Sequence, residues 1–134
     1  FISKSIRKYL NYNTRGIISA FKNFSPEDYL KLINNSVCLI GNSSSGIRES
    51  AFLGVPVVNV GNRQSDRERA KNVIDVSNDY QNIITGIKKQ LKVKKYKKNK
   101  IYGDGKAGKK ILDILLKKKI SIQKRLNYLN EKNR

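Results

Sequence analysis

Short apolar runs alternate with amphipathic stretches along this chain. Residues 37–40 (VCLI) and 55–58 (VPVV) are unbroken apolar runs bounded by turn residues, which is typical of buried strands in a parallel sheet. The pattern predicts strands over residues 37–40, 56–60 and 72–76, and a further strand over 17–21. It predicts helices over residues 1–13, 25–35, 46–53, 79–90 and 109–117, and a loop that becomes a helix over 61–70. This alternation indicates an α/β domain with a parallel sheet.

Local signals mark several helix ends. Residues 25–28 (SPED) begin a helix, because Ser is a favoured N-cap, Pro fits the first helical position and acids suit the first turn. Gly54 is expected to end the helix at 46–53. Residues 102–105 (YGDG) predict a turn with Asp104 as the N-cap of the last helix.

The stretch GNSSSGIRES, residues 41–50, places three serines between two glycines directly after the first buried strand. In a strand-loop-helix unit of a parallel sheet this loop lies at the carboxyl edge, where open α/β sheets bind ligands. Serine hydroxyls and backbone amides at a helix N-terminus favour an anion, most naturally a phosphate. The alternative is an N-cap turn whose serines only satisfy the first helical amides.

The formal net charge of the 134 residues is +19, and it is concentrated in blocks. Residues 88–100 (KKQLKVKKYKKNK) include eight lysines, and a second lysine cluster at 117–119 leads into a basic polar tail at 118–134. Such blocks can contact nucleic acid or an anionic membrane, or can be solvated faces. Tyr96 is the one aromatic residue in the denser block, so the sequence does not favour a base-stacking nucleic-acid surface.

Missing residue types limit the chemistry. No stretch approaches the ~20 apolar residues of a membrane span, so no membrane partner is expected. The chain has one cysteine, Cys38, and no histidine, which excludes the common zinc sites and any Ser-His or Cys-His pair within the chain. We therefore expect neither a metal nor another cofactor. A lone cysteine in an apolar run is typical of a buried side chain in a cytoplasmic protein. Because the chain lacks methionine and starts with Phe1, we expect a fragment of a longer protein.

Three stretches form an ordered set of motifs: SPEDYLKLINNSVCLIG at 25–41, GNSSSGIRESAFLGVPVVNVGNRQSDRERAKNVIDV at 41–76, and IYGDG at 101–105. Together they resemble the UDP-N-acetylglucosamine 2-epimerase family, over residues 15–117. The loop Asn42-Ser43-Ser44-Ser45-Gly46 with Arg63-Gln64 is more similar to the hydrolysing branch, which feeds sialic and related nonulosonic acid synthesis. The non-hydrolysing branch usually has an Asp-Ser-Gly-Gly loop at this place.

The resemblance implies a Rossmann-like parallel sheet with flanking helices, the C-terminal half of a glycosyltransferase-B-like two-domain fold. Residues 1–117 are then a C-terminal nucleotide-binding domain, followed by the tail at 118–134. The implied partners are a UDP-sugar substrate, an N-terminal domain with the acid/base carboxylates and a histidine, and further copies in a homo-oligomer. The implied reaction converts UDP-N-acetylglucosamine and water to N-acetylmannosamine and UDP. We expect this chain alone to be inactive, because the main acid/base groups lie elsewhere.

The resemblance also implies substrate-binding residues around the serines. Ser43 and Ser44 offer hydroxyls and backbone amides to the diphosphate, and Gly46 lets the backbone approach it closely. Glu49 accepts hydrogen bonds from the ribose hydroxyls. Its alternative role is that of a first-turn acid favoured by the helix dipole.

Two further implied residues lie outside the serine loop. Arg63 neutralises the diphosphate and stabilises the leaving group, or else pairs on the surface with Asp66 or Glu68. Phe24 lies with its backbone near the uracil, or else packs on the following helix as a hydrophobic staple. Apart from this possible role of Arg63, we assign no catalytic residue in this chain.

Other functions are open on the sequence. A non-hydrolysing epimerase or another glycosyltransferase-B-type enzyme would share the nucleotide site, although Arg63-Gln64 and the glycine motif at 103–105 argue against an enzyme that transfers the sugar. A basic nucleic-acid-binding protein on an α/β scaffold would bind DNA or RNA with a strong salt dependence, because binding releases counterions. That function gives no reason for the serine loop.

Overall fold

The computed structural model describes residues 2–12 and 18–118, with side chains for 4–10 and 18–118. The chain divides into two compact units, Phe1–Ile101 and Tyr102–Arg134. In the first unit the elements are, in chain order, α1 (Ile2–Tyr12), α2 (Pro26–Asn35), β1 (Leu39–Gly41), a 3₁₀ turn (Ser44–Gly46), α3 (Glu49–Leu53), β2 (Val57–Val60), β3 (Val73–Val76) and α4 (Tyr80–Leu91). Apart from Lys118, the predicted tail lies outside the described residues.

The described strands form a parallel sheet in the order β1-β2-β3. Leu39 pairs with Val57, and Val57 pairs in turn with Val73. The α/β class and these three predicted strands are confirmed. The predicted burial of the run at 37–40 is wrong, because Val37 and Ile40 are 69% and 48% exposed. The predicted strand at 17–21 is wrong for residues 18–21, which form no strand. Ile18 and Phe21 are 44% and 66% exposed, so this run lacks the buried face that stabilises a strand.

The apolar core lies on and around β2, which is central in the sheet. Its buried apolar side chains are Ile33, Ile47, Ala51, Val55, Val57, Val58 and Ala70. Helix α4 packs on β2 and β3. Gly86 permits this approach, because a Cβ there would lie 3.0 Å from Val76 Cγ1 and 3.2 Å from Val58 Cγ1.

The helix predicted over 46–53 begins later than expected. Residues 44–46 form the 3₁₀ turn, and α3 begins at Glu49 with Arg48 as its N-cap. The tighter turn forms because Ser43 satisfies two amides: its carbonyl accepts from Gly46 and its Oγ accepts from Ser45. Gly54 ends α3 as predicted, with a φ of 72°.

Residues 61–70 form turns, so the helix predicted for the end of this segment is wrong. Arg69 explains the difference. Its guanidinium donates to the carbonyls of Gln64, Ser65 and Arg67. These are acceptors that a helix through this segment would use for its own amides.

Hydrogen bonds of Gln90 and Tyr96 tie α4 and the segment after it to the amino ends of β2 and β3. Gln90 Nε2 donates to the carbonyls of Val57 and Asn72 at 2.7 and 2.8 Å. Tyr96 donates its hydroxyl to Gln90 Oε1 at 2.8 Å, and its backbone amide donates to Gly54 O at 2.8 Å. The lysine-rich segment after α4 is therefore held against the domain by these bonds.

The second unit contains α5 (Ala107–Lys117). Lys106 is its N-cap, so the prediction that Asp104 caps this helix is wrong. Asp104 Oδ1 instead accepts from the Lys106 amide at 3.1 Å, one turn before the helix. This bond and the neighbouring Lys110 ammonium hold the pKa of Asp104 below its usual value. Over the described ranges, no helix has the length and apolar character needed to cross a membrane.

Candidate nucleotide site

The loops that follow the three strands meet at one edge of the sheet. Asn42 follows β1, Gly61 follows β2 and Ser77 follows β3. Because the strands are parallel, all three loops lie at the carboxyl edge, where open α/β sheets bind ligands. The serine loop and the segment after β2 are therefore neighbours.

The serine loop presents hydroxyls and backbone amides in a tight turn. The turn's own hydrogen bonds use the amides of residues 45–48, so the amides of Ser43 and Ser44 take no part in them. Ser43 Oγ lies 3.1 Å from Ser45 Oγ. Gly46 is buried, and a Cβ there would lie 3.1 Å from Val57 Cγ1. Gly46 thus lets the turn pack closely on β2. Because their amides are not used within the turn, Ser43 and Ser44 are the donors available to an anion.

A cavity of about 290 Å³ lies beside this turn. It is lined by Tyr29, residues 39–43, Gly46 and Val57. Phe24 does not line it. Its ring stacks on that of Tyr29 with centroids 6.4 Å apart, the position of a hydrophobic staple across the Ser25 N-cap. Tyr29 was not among the predicted site residues. Its position four residues after the Ser25 N-cap is the sequence signal that could have placed it here.

Glu49 is the first residue of α3 and is half-buried. Its Oε2 atom is fully buried and has no hydrogen-bond partner within the part of the chain that the structure describes. Buried carboxylate oxygens are normally satisfied by a protein group, water or a ligand. The first-turn position fits the dipole alternative, whereas the unpartnered oxygen fits a ligand that donates hydrogen bonds.

Arg63 lies in the loop after β2 and is exposed. It forms no ion pair with Asp66, Glu68 or any other residue in the described ranges. Its neighbour Gln64 is buried, and Gln64 Nε2 donates to Asn42 O at 2.9 Å. The structure therefore joins the Arg63 loop to the serine loop, and it leaves the Arg63 guanidinium available at this edge.

A second cleft, of about 710 Å³, lies between the loops after β2 and β3. Arg69 and Asp75 line it and form an ion pair, with Arg69 Nε 2.7 Å from Asp75 Oδ2. Asn59 Nδ2 donates to Asp75 Oδ1 at 2.7 Å. The two charges are thus paired with each other, and they fix the loop after β2 to β3.

The parallel sheet with a serine turn at its carboxyl edge defines the class of protein, an α/β domain of the Rossmann-like kind. Residues 2–116 match the model of the UDP-N-acetylglucosamine 2-epimerase family. The chain belongs to this family.

Similar proteins share this domain. The chain is 40% identical over 114 residues to the UDP-N,N'-diacetylbacillosamine 2-epimerase (hydrolyzing) of Legionella pneumophila. The aligned residues make up 85% of this chain and 29% of that protein. It is 32% identical over 100 residues to the UDP-N-acetylglucosamine 2-epimerase of Neisseria meningitidis, 75% of this chain and 26% of that protein. It is 39% identical over 74 residues to the GDP/UDP-N,N'-diacetylbacillosamine 2-epimerase (hydrolyzing) of Campylobacter jejuni, 55% of this chain and 19% of that protein. The chain thus spans less than a third of the length of these relatives.

Proposed function

We propose that this chain is the UDP-binding domain of an enzyme that epimerises a UDP-activated 2-acetamido sugar at C2 with hydrolysis of the glycosyl–phosphate bond. The observation that carries the proposal is the cavity shared by the Tyr29 ring and the serine turn, in a chain of the epimerase family. Two of the three relatives described above are named as hydrolyzing epimerases, which supports the hydrolytic reaction. We place the reaction in the cytoplasm, where a free thiol such as Cys38 is stable.

Each binding role follows from a side chain at the carboxyl edge. Ser43 and Ser44 donate to the diphosphate, an acceptor-rich anion suited to hydroxyls and backbone amides. Tyr29 offers an aromatic surface to the base across the cavity, a contact that stabilises nucleotides through stacking. Glu49 Oε2 accepts from the ribose hydroxyls, which would satisfy its buried oxygen.

The proposed reaction has two stages. The proton at C2 is removed and the C1–O bond to UDP breaks, which leaves a glycal and free UDP. Water then adds at C1 and a proton returns to the opposite face of C2, so the products are the 2-epimeric sugar and UDP. Negative charge develops on the departing diphosphate, and Arg63 stabilises it electrostatically. The acid/base steps at C2 belong to groups outside this chain.

Calorimetric titration of UDP into the 134-residue chain tests the proposal. We expect Ser44→Ala with Glu49→Gln to weaken UDP binding by about 10- to 100-fold, because each lost hydrogen bond contributes roughly 1 kcal/mol and tenfold corresponds to about 1.4 kcal/mol. The matched control is Ser19→Ala with Glu27→Gln, which makes the same changes at exposed positions away from the cavity. We expect the control to bind as the parent does.

Two results would contradict the proposal. One is UDP binding that is unchanged in the Ser44, Glu49 variant. The other is equal affinity for UDP, inorganic diphosphate and single-stranded DNA with a steep salt dependence, which would favour the lysine blocks as a general polyanion surface.

A further inference from the structure

Gln64 is a buried polar residue for which the binding roles above give no function. It is 4% exposed and lies in the loop after β2. Its Nε2 donates to the carbonyl of Asn42 at 2.9 Å, a bond between residues 22 positions apart in the chain. Asn42 is the residue between β1 and Ser43, so this bond is made at the base of the serine turn.

The orientation of the Gln64 amide follows from its surroundings. Its Oε1 is buried and has no partner among residues 2–12 and 18–118. A flipped amide would place that oxygen against the Asn42 carbonyl, which is also an acceptor, so the donating orientation is the favourable one. The side chain is therefore held by the bond to Asn42.

The backbone of Gln64 is fixed independently. Its carbonyl accepts from Arg69 at 2.5 Å, and Arg69 is paired with Asp75 on β3. Asp75 also accepts from Asn59 on β2. Gln64 thus stands between a network on β2 and β3 and a serine turn whose own hydrogen bonds are local, within residues 43–50.

We propose that Gln64 is the positioning residue of the serine turn: it fixes the Asn42 carbonyl, so that Ser43 and Ser44 meet the diphosphate in a preformed geometry. This inference rests on the proposed function. A turn of small residues has many alternative conformations, and ordering it on binding would lower the affinity. Holding Asn42 from the neighbouring loop removes that cost before the ligand arrives.

Gln64→Met tests the inference, because methionine keeps the length and volume of the side chain and removes the donor. The matched control is Gln90→Met, which removes a buried glutamine at the opposite edge of the same sheet. We expect Gln64→Met to weaken UDP and inorganic diphosphate by the same factor, about tenfold, and to leave uridine binding unchanged. We expect Gln90→Met to leave all three affinities within twofold while it lowers the urea midpoint.

Hydrogen exchange of the folded proteins gives a second readout that does not depend on a ligand. We expect faster exchange at the amides of Ser45 and Gly46 in Gln64→Met, with exchange in β2 unchanged. If Gln64→Met does not fold, the exchange of the Gln64 side-chain amide in the wild type decides: the inference requires it to be protected.

The outcomes separate the two proposals. Wild-type protein that binds neither UDP nor diphosphate overturns the proposed function, and hydrogen exchange then decides whether Gln64 orders the turn. Equal losses for UDP, diphosphate and uridine, or a Gln64→Met variant that matches the wild type in affinity and exchange, overturns the positioning role.

Discussion

Replacing Gln90 by glutamate should make the stability of this domain depend steeply on pH. The wild-type side chain is fully buried, donates to two backbone carbonyls and accepts from Tyr96. An ionised glutamate would turn a negative oxygen toward the carbonyls of Val57 and Asn72. The variant side chain should therefore stay protonated in the folded state, with its pKa raised well above the value in the unfolded chain.

The magnitude follows from proton linkage. Keeping a carboxyl with an unfolded pKa of ~4.3 protonated at pH 7 costs about 3.7 kcal/mol, at 1.36 kcal/mol per pKa unit. The protonated group has one donor where glutamine has two, a loss of about 1 kcal/mol. We therefore expect Gln90→Glu to lower the free energy of unfolding by about 5 kcal/mol at pH 7 and by about 2 kcal/mol at pH 5.

The direction of the pH dependence follows from the raised pKa. Because the folded-state pKa is raised, the stability of the variant is present below the unfolded pKa and is lost as pH rises through the folded pKa. Urea unfolding followed by circular dichroism at pH 5, 6 and 7, relative to wild type at each pH, measures the slope. Gln81→Glu is the control, since Gln81 is exposed on the same helix, and its effect should stay within about 0.5 kcal/mol. A difference between Gln90→Glu and wild type that does not change with pH would refute the buried-donor interpretation.

Three further predictions follow from single features. Gly54→Ala should lower the free energy of unfolding by more than ~1 kcal/mol in a urea titration, because φ at Gly54 is 72° and the new Cβ would lie 2.3 Å from Tyr96 O. Gly108→Ala is the control, since a Cβ on this α5 residue meets open space and should not lower the stability of the protein. The chain alone should release no N-acetylmannosamine from UDP-N-acetylglucosamine in a product assay, and detectable turnover would contradict this. NMR titration should place the pKa of Asp104 below 3.8. The Asp104 carboxylate then stabilises the start of α5 above that pH, and this stabilisation is lost as pH falls through the folded-state pKa. An unshifted pKa would contradict the prediction.

Prediction from the sequence succeeded where the signal is local. The run at 37–40 and the valines of β2 are strongly apolar, and Ser25 with Pro26 marks the start of α2 through the chemistry of its own first turn. Strand β2 could be assigned as buried because no polar position interrupts residues 55–58. Gly54 could be assigned as a helix end because an αL position favours glycine.

The errors arose where distant groups compete with a local pattern. Residues 61–70 have the charged composition of an exposed helix, but Arg69 reaches back to three carbonyls and is held by Asp75, a residue on the next strand. The stretch at 18–21 is apolar, but burial decides whether such a run becomes a strand, and burial depends on neighbours.

The candidate site divides in the same way. The sequence by itself determined that the serines and Arg63 lie at the carboxyl edge of the sheet, because each follows a predicted strand of a parallel sheet. It did not determine that Tyr29 faces the serine turn or that Gln64 holds Asn42. Those contacts join residues far apart in the chain, and only the packing of α2 and the loop after β2 around a common sheet brings them within reach.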